Sequence, residues 1–164
     1  MNHKRLSKEE MERRHVEEFK NQLHEEFKKK VRQYSPQVFE RWENPRNFKR
    51  LKNPDGYAKY MGSCGDIIEI YIRIEKNRIS DVSFYTDACA MTIACSSMAT
   101  ELAAGKSVSE AIAATSAEEI GRQLGGLPDE DIHNAQMASD AMRRALADAV
   151  HHLKTPWKRH YRKA

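Results

Sequence analysis

Cys64 stands in the stretch Gly62-Ser63-Cys64-Gly65-Asp66, with a carboxylate two residues on and a glycine on either side. Glycine removes Cβ bulk and permits positive φ, so the thiol stands out from a tight turn toward an incoming ligand. A thiolate and a carboxylate are both anionic ligands, and the pair suits iron or zinc. Cys89 comes where a strand pattern ends and a helical one begins. The free amide donors and dipole of a helix start suit a thiolate that ligates metal or carries a persulfide. His133 falls in the first turn of the last helix. Cys64, Asp66, Cys89 and His133 therefore all occupy element ends, and such ends can converge at one edge of a small α+β domain.

Plainer readings stand beside these. Asp66 alone also suits a turn-forming or capping side chain, and His133 a first-turn surface histidine. Cys95, six positions past Cys89 and inside the helix, reads as a small buried thiol before it reads as an additional ligand. His3, His15, His24, His151, His152 and His160 read as solvated, and Met91, Met98, Met137 and Met142 as core packing at helical spacing.

The elements that must position these donors follow from periodicity and punctuation. Ser7-Lys8-Glu9-Glu10 has the form of a capping box. It opens an amphipathic helix to about residue 33, with a narrow stripe of Met11, Val16, Phe19, Leu23, Phe27 and Val31 that calls for a partner surface. Ser35-Pro36 restarts a helix that Asn44-Pro45 stops, and residues 44–56 read as a loop. From Tyr57 the period becomes two: Tyr57 to Met61, then Ile68, Ile70, Ile72 and Ile74, then after Lys76-Asn77 a strand with Ile79, Val82 and Phe84. After Cys89 a helical stripe of Ile93, Met98 and Leu102 runs to Gly105. Capping boxes at Ser107 and Ser116 open two short helices that end at Gly125-Gly126. Pro128 leads an acidic first turn into a long helix through Met137, Met142, Leu146 and Val150. Strands first and helices afterwards predict an α+β fold, a three-stranded antiparallel sheet with helices packed on one face, plus the N-terminal amphipathic extension.

Composition narrows the function classes. The chain has 164 residues, room for one ordinary domain with extensions. Its net charge of +4 is uneven: residues 1–33 carry +3, residues 151–164 carry +5 and the rest −4. A basic tail on an acidic body argues against nucleic-acid binding by the domain. No apolar run reaches membrane-span length and the start lacks a secretory signal, which predicts a cytoplasmic protein. Three cysteines, an odd number, then point to reduced thiols and not a disulfide framework.

Taken together, Tyr34-Ser35, Glu43-Asn44-Pro45-Arg46-Asn47, Ser63-Cys64-Gly65-Asp66, Cys89 with Ile93-Ala94, Ser97-Met98-Ala99-Thr100-Glu101, Gly105-Lys106, Ile132-His133 and Asp140-Ala141 resemble NifU/IscU-type iron–sulfur cluster assembly scaffolds. The likeness spans about residues 34–153, leaving residues 1–33 as a helical extension and 154–164 as a basic tail. It implies a protein, not itself an enzyme, that takes sulfur from a cysteine desulfurase, combines it with iron into a labile [2Fe–2S] cluster and passes that cluster to apo iron–sulfur proteins. By the same resemblance Cys64 and Cys89 are cluster cysteines, Asp66 is the aspartate that keeps the cluster labile, and His133 is the histidine beside the third cysteine.

Two departures matter. Asn134 stands where the family has that third cysteine, and an amide is a poor soft-metal ligand that carries no persulfide. The expected substitute is a mixed set of Cys64, Cys89, His133 and Asp66, with imidazole ligating as it does in Rieske centres. Leu127-Pro128-Asp129-Glu130-Asp131 also replaces the apolar and basic segment that a specialised Hsp70-type chaperone grips, which argues against that partnership. Two other classes remain: a cluster-free binding module closed by zinc on the same four residues, and a sulfur transferase using Cys89 as nucleophile. The N-terminal helix is the expected contact of any homo-oligomer.

Overall fold

The computed structural model describes residues 10, 11, 13–18, 21, 22, 29 and 32–155. The chain divides between Tyr34 and Ser35 into two compact units. In the first, the described residues up to 29 are helical, and Met11 and Val16 are exposed. The capping box at Ser7, the apolar positions Phe19, Leu23, Phe27 and Val31, and the tail 156–164 lie outside the described residues.

The second unit opens with helix α1 (Pro36–Glu43), begun as the Ser-Pro pair dictates: Ser35 Oγ accepts from the Val38 amide at 3.3 Å and proline fills the first turn. Strands β1 (Gly56–Met61), β2 (Ile67–Glu75) and β3 (Arg78–Thr86) form one antiparallel sheet in that order. Ile68, Ile70 and Ile72 on the central strand lie opposite Thr86, Phe84 and Val82, and all three isoleucines are 0% exposed. Each contributes roughly 1.5–3 kcal/mol by burial. A register shift between Arg73 and Ile74 leaves Ser80 unpaired. That bulge explains why the buried set on β3 steps from Val82 to Ile79 and breaks the period of two.

Helices α2 (Ala90–Ala103), α3 (Val108–Ala114), α4 (Ala117–Gln123) and α5 (Ile132–Lys154) follow. α5 packs on β1 and β2, and α2 on β3 and α5, so the helices cover one face of the sheet. The approach of α5 is close enough to require Gly56, where a Cβ would stand 2.6 Å from Ala149 Cβ and 2.8 Å from its amide nitrogen. The sequence stripe on α2 was too narrow. Met91, Thr92, Ala94 to Thr100 and Ala103 are buried, while Ile93 and Leu102 are only partly so. A helix built from Ala, Ser, Thr and Cys fits between α1, α5 and β3 on nearly all sides, and no single apolar face marks it. Ser107 makes both halves of its capping box, but at Ser116 only the serine half forms, because Glu119 is taken by Arg122 and Gln123. The acidic turn Asp129–Asp131 is 3₁₀, and the α-helix proper begins at Ile132.

The stretch read as a loop does more than connect. Phe84 N–H donates to Asn47 O and Lys49 N–H to Phe84 O, each at 3.0 Å, so residues 47–49 close the outer edge of β3. The same segment is tied to α2: the Arg46 amide donates to Ser97 Oγ at 2.9 Å and Asn47 Nδ2 to Thr100 Oγ1 at 3.1 Å. Glu101 accepts from Arg41 Nε at 2.9 Å, Arg41 Nη2 at 3.1 Å and Arg46 Nη1 at 2.6 Å.

The sheet's other face is covered by its own side chains. Glu69 accepts from Tyr57 Oη at 2.9 Å, Tyr71 Oη at 3.0 Å and Arg50 Nε at 3.1 Å, and the Arg50 guanidinium lies 3.6 Å over the Tyr85 ring. Tyr71, on the polar side of the alternation, is consequently buried. Burial first, then the Glu69 carboxylate, pushes the Tyr57 phenol up to about 12. Burial also pushes Glu69 up, but the hydrogen bonds from Tyr57, Arg50 and Tyr71 outweigh it and the carboxyl ends below its ordinary value.

The signs differ. A phenol raised above its unfolded value of about 10 contributes stability below that pH and loses it as pH climbs toward 12, whereas Glu69 contributes above about 4.3 and loses on acidification. Denaturant midpoints measured against pH should therefore fall between about pH 10 and 12, and Tyr57→Phe should flatten that limb. An unchanged limb in the variant would place its origin elsewhere.

Candidate metal centre

The connection between β1 and β2 forms the turn that the two glycines suggest. Gly62 N–H donates to Asp66 O at 2.9 Å and Gly65 N–H to Gly62 O at 3.0 Å, with Gly65 at φ 88°, a conformation closed to most L residues. Cys64 is exposed on this turn. Its Sγ lies 3.6 Å from Met137 Sδ on the buried side of α5, and Met137 also packs directly against Gly62. Met137, read from sequence as core, thus forms the floor beneath the Cys64 turn.

Cys89 is the N-cap of α2 and is exposed, with Sγ 3.4 Å from Thr92 Oγ1 one turn on. Thr92 is fully buried and is a group the sequence reading passed over. Its hydroxyl lies 2.9 Å from Asn134 Oδ1 and 3.3 Å from Asp66 Oδ2. Asn134 is 1% exposed, and its Nδ2 donates to Asp131 Oδ1 at 3.3 Å. One hydroxyl therefore joins residues 66, 89 and 134, which belong to three separate segments. Only the Cys89–Thr92 spacing, three residues across a helical turn, could have drawn attention to it beforehand.

His133 is exposed. Its Nδ1 stands 2.7 Å from Glu130 O, so a proton on Nδ1 is donated to that carbonyl and the Nε2 lone pair is left for a ligand. Cys95 is 0% exposed, and burial, reinforced by Asp131 and Cys89 nearby, pushes its thiol far up. A buried neutral thiol has little power to ligate. Among the described residues, no three His, Cys, Asp or Glu side chains are grouped so as to hold one ion. The fold thus brings Cys89, Asp66 and Asn134 together around Thr92, sets Cys64 against α5 at Met137, and keeps His133 outward.

A family model described as the NifU-like N terminal domain matches residues 33–155. The chain belongs to the NifU-like N-terminal domain family. Two relatives agree with this placement. The iron–sulfur cluster assembly scaffold protein IscU 1 of Archaeoglobus fulgidus is 44% identical over 116 residues, covering 70% of this chain and 75% of its own length. The scaffold protein IscU of Azotobacter vinelandii is 36% identical over 123 residues, covering 72% and 94%. In three dimensions this NifU-like chain is similar to the N-terminal part of a nitrogen-fixing NifU-like protein from Brucella abortus, with a TM-score of 0.51 at 21% identity over 79% of this chain and 95% of that one. That likeness bears on the fold, the same α+β arrangement of three antiparallel strands and covering helices. No helix among the described residues is long and apolar enough to cross a membrane.

Proposed function

We propose that this NifU-like chain is an iron–sulfur cluster assembly scaffold and carrier: it takes up iron and sulfur as its cargo, holds them as a labile [2Fe–2S] cluster and releases the cluster to apo iron–sulfur proteins. The supporting observation is that two exposed thiols, Cys64 against Met137 of α5 and Cys89 at the start of α2, flank Asp66, which shares the Thr92 hydroxyl with Cys89 and with Asn134 of α5. A relative 44% identical over 116 residues is named as an iron–sulfur cluster assembly scaffold protein. The donors we assign are Cys64, Cys89, Asp66 and His133.

The donors stand apart, two of them at opposite ends of the Cys64–Asp66 turn, so loading draws the turn and the His133 side chain in toward Cys89. Ligands that must be gathered suit cargo that is later given up, whereas a structural zinc site is closed and contributes to folding outright. A cysteine desulfurase is the proposed sulfur donor: the Cys89 thiolate takes the outer sulfur of the desulfurase persulfide, whose cysteine leaves as the thiolate, and an electron-transfer protein supplies the two electrons per sulfur that reduce it to sulfide. The role is that of a carrier and not a catalyst, exercised in the cytoplasm.

Anaerobic reconstitution with iron, sulfide and a desulfurase, followed by spectroscopy and by metal and sulfide analysis, tests this. The expected result is a visible chromophore with iron and sulfide in equal amounts. A colourless protein that retains stoichiometric zinc overturns it in favour of a zinc-holding module.

A further inference from the structure

The proposed cargo site contains a buried hydroxyl, that of Thr92, which is not a donor to the cargo. It has a single proton and faces three potential partners, Asn134 Oδ1 at 2.9 Å, Asp66 Oδ2 at 3.3 Å and Cys89 Sγ at 3.4 Å. The short contact identifies Asn134 as the principal acceptor, because hydrogen-bond strength falls with distance. Asn134 is held from both ends, since its amide nitrogen also donates to Asp131. A carboxamide 1% exposed, with both ends engaged, has no remaining reason to turn toward a surface ligand. The Thr92 oxygen keeps lone pairs free, and the Cys89 thiol, donating to one of them, is restrained in the rotamer that faces Thr92.

We propose that Thr92 is the positioning residue of this site: its hydroxyl proton holds Asn134 inward, away from the cargo, and its oxygen receives the Cys89 thiol and so orients that donor, with Asp66 Oδ2 3.3 Å from the same oxygen. This deepens the scaffold reading and rests on it for the identity of the cargo. The geometric claim about Cys89, Asp66 and Asn134 does not depend on that reading. Asn134 then closes the interior by a hydrogen bond where a ligand would otherwise be expected, and Asp66 is the oxygen donor left facing out.

The test compares the full chain with Thr92→Ser, which keeps the hydroxyl, and Thr92→Val, which keeps the shape and removes it. Because valine orphans the buried Asn134 oxygen, Thr92→Val is also made together with Asn134→Ala, so that a folded protein lacking the hydroxyl is available. The first readout needs no metal: the two Hα–Hβ couplings of Cys89 by NMR. The wild type and Thr92→Ser should show the couplings of a single rotamer, one large and one small or two small, and both proteins lacking the hydroxyl should show two intermediate values. The second readout is bleaching of the reconstituted cluster by an iron chelator. It should run about fivefold faster without the hydroxyl, the factor that goes with losing one ordinary hydrogen bond, and return to the wild-type rate in Thr92→Ser.

Couplings already averaged in the wild type, or unchanged on loss of the hydroxyl, overturn the proposal. So does a bleaching rate that follows the melting temperature of the variants and not the presence of the hydroxyl. If the wild type never forms a chromophore, the scaffold reading fails while the couplings still decide the role of Thr92.

Discussion

Cys64→Ala and Cys89→Ala should each remove the reconstituted chromophore, leaving less than about a tenth of the wild-type intensity per chain, as expected when a soft metal loses an anionic sulfur ligand. The chain has three cysteines, and the third offers no substitute. Cys95 lies inside α2 with no exposed surface and a thiol held protonated by its burial. Each variant therefore retains one usable thiolate. Cys95→Ala is the matched control and should keep the chromophore.

Asp66→Ala extends the experiment. If Asp66 ligates, its loss shortens the lifetime of the cluster; if it only keeps the cluster labile, its loss lengthens it. With Asn134 turned inward and bonded at both ends, shortening is the expected outcome. Asn134→Cys brings a second thiol to the group around Thr92 and should lengthen the lifetime. Absorbance and circular dichroism during a chelator challenge read all five variants on one scale. Full chromophore in both Cys64→Ala and Cys89→Ala would dismiss these residues as cargo ligands.

Glu101→Ala should lower stability by about 3 kcal/mol, the range found when one member of a mostly buried ion pair is removed. Glu101 receives three hydrogen bonds from two arginines, and the Arg41 side chain is only 11% exposed. Truncation takes the closer of its two carboxylates from that guanidinium in a place water reaches poorly, leaving it Glu40 at 3.7 Å and the Gln37 carbonyl. The effect is mechanical as well, because Glu101 is where α1 and the 44–49 segment are fastened to α2, the helix whose first residues carry Cys89 and Thr92. Chemical denaturation checks the magnitude. Glu101→Gln, which keeps the size and accepts with one oxygen, should recover part of the loss. A change below about 0.5 kcal/mol, the level of an exposed surface pair, would mean that Arg41 finds solvent when its partner is gone.

These two expectations divide the motifs that carry the family resemblance. Arg46, Asn47, Ser97 and Glu101 are struts, each engaged in a hydrogen bond between the 44–49 segment and α2. Cys64, Asp66 and Cys89 are the part that faces solvent or the Thr92 hydroxyl. In sequence the two sets look alike, because a short motif records residue order and not direction. The α2 stripe shows the same limit from another side. Periodicity finds a helix when one face is apolar, and α2 is buried on almost every side with small polar residues among the small apolar ones. Tyr71 shows a related limit: strict alternation assigns it to the wet face, and only the Glu69 lattice across three strands buries it.

The sequence by itself determined the α+β order of elements, the turn chemistry around Cys64, the family, and the chemical types available at its site: two thiols near element ends, a carboxylate, an imidazole, and an amide where a third thiol was expected. All but the family and the expected third thiol, which rest on resemblance, are matters of composition, local period or short spacing, which adjacent residues settle among themselves. Tertiary structure decided that Cys95 is sealed, that Asn134 turns inward, that Met137 lies under Cys64, and that one buried hydroxyl unites residues 66, 89 and 134. Those facts depend on how closely α2 and α5 approach each other and the sheet. That distance is set by small side chains and by Gly56 packing against Ala149, contacts between residues more than ninety positions apart, which no local spacing encodes.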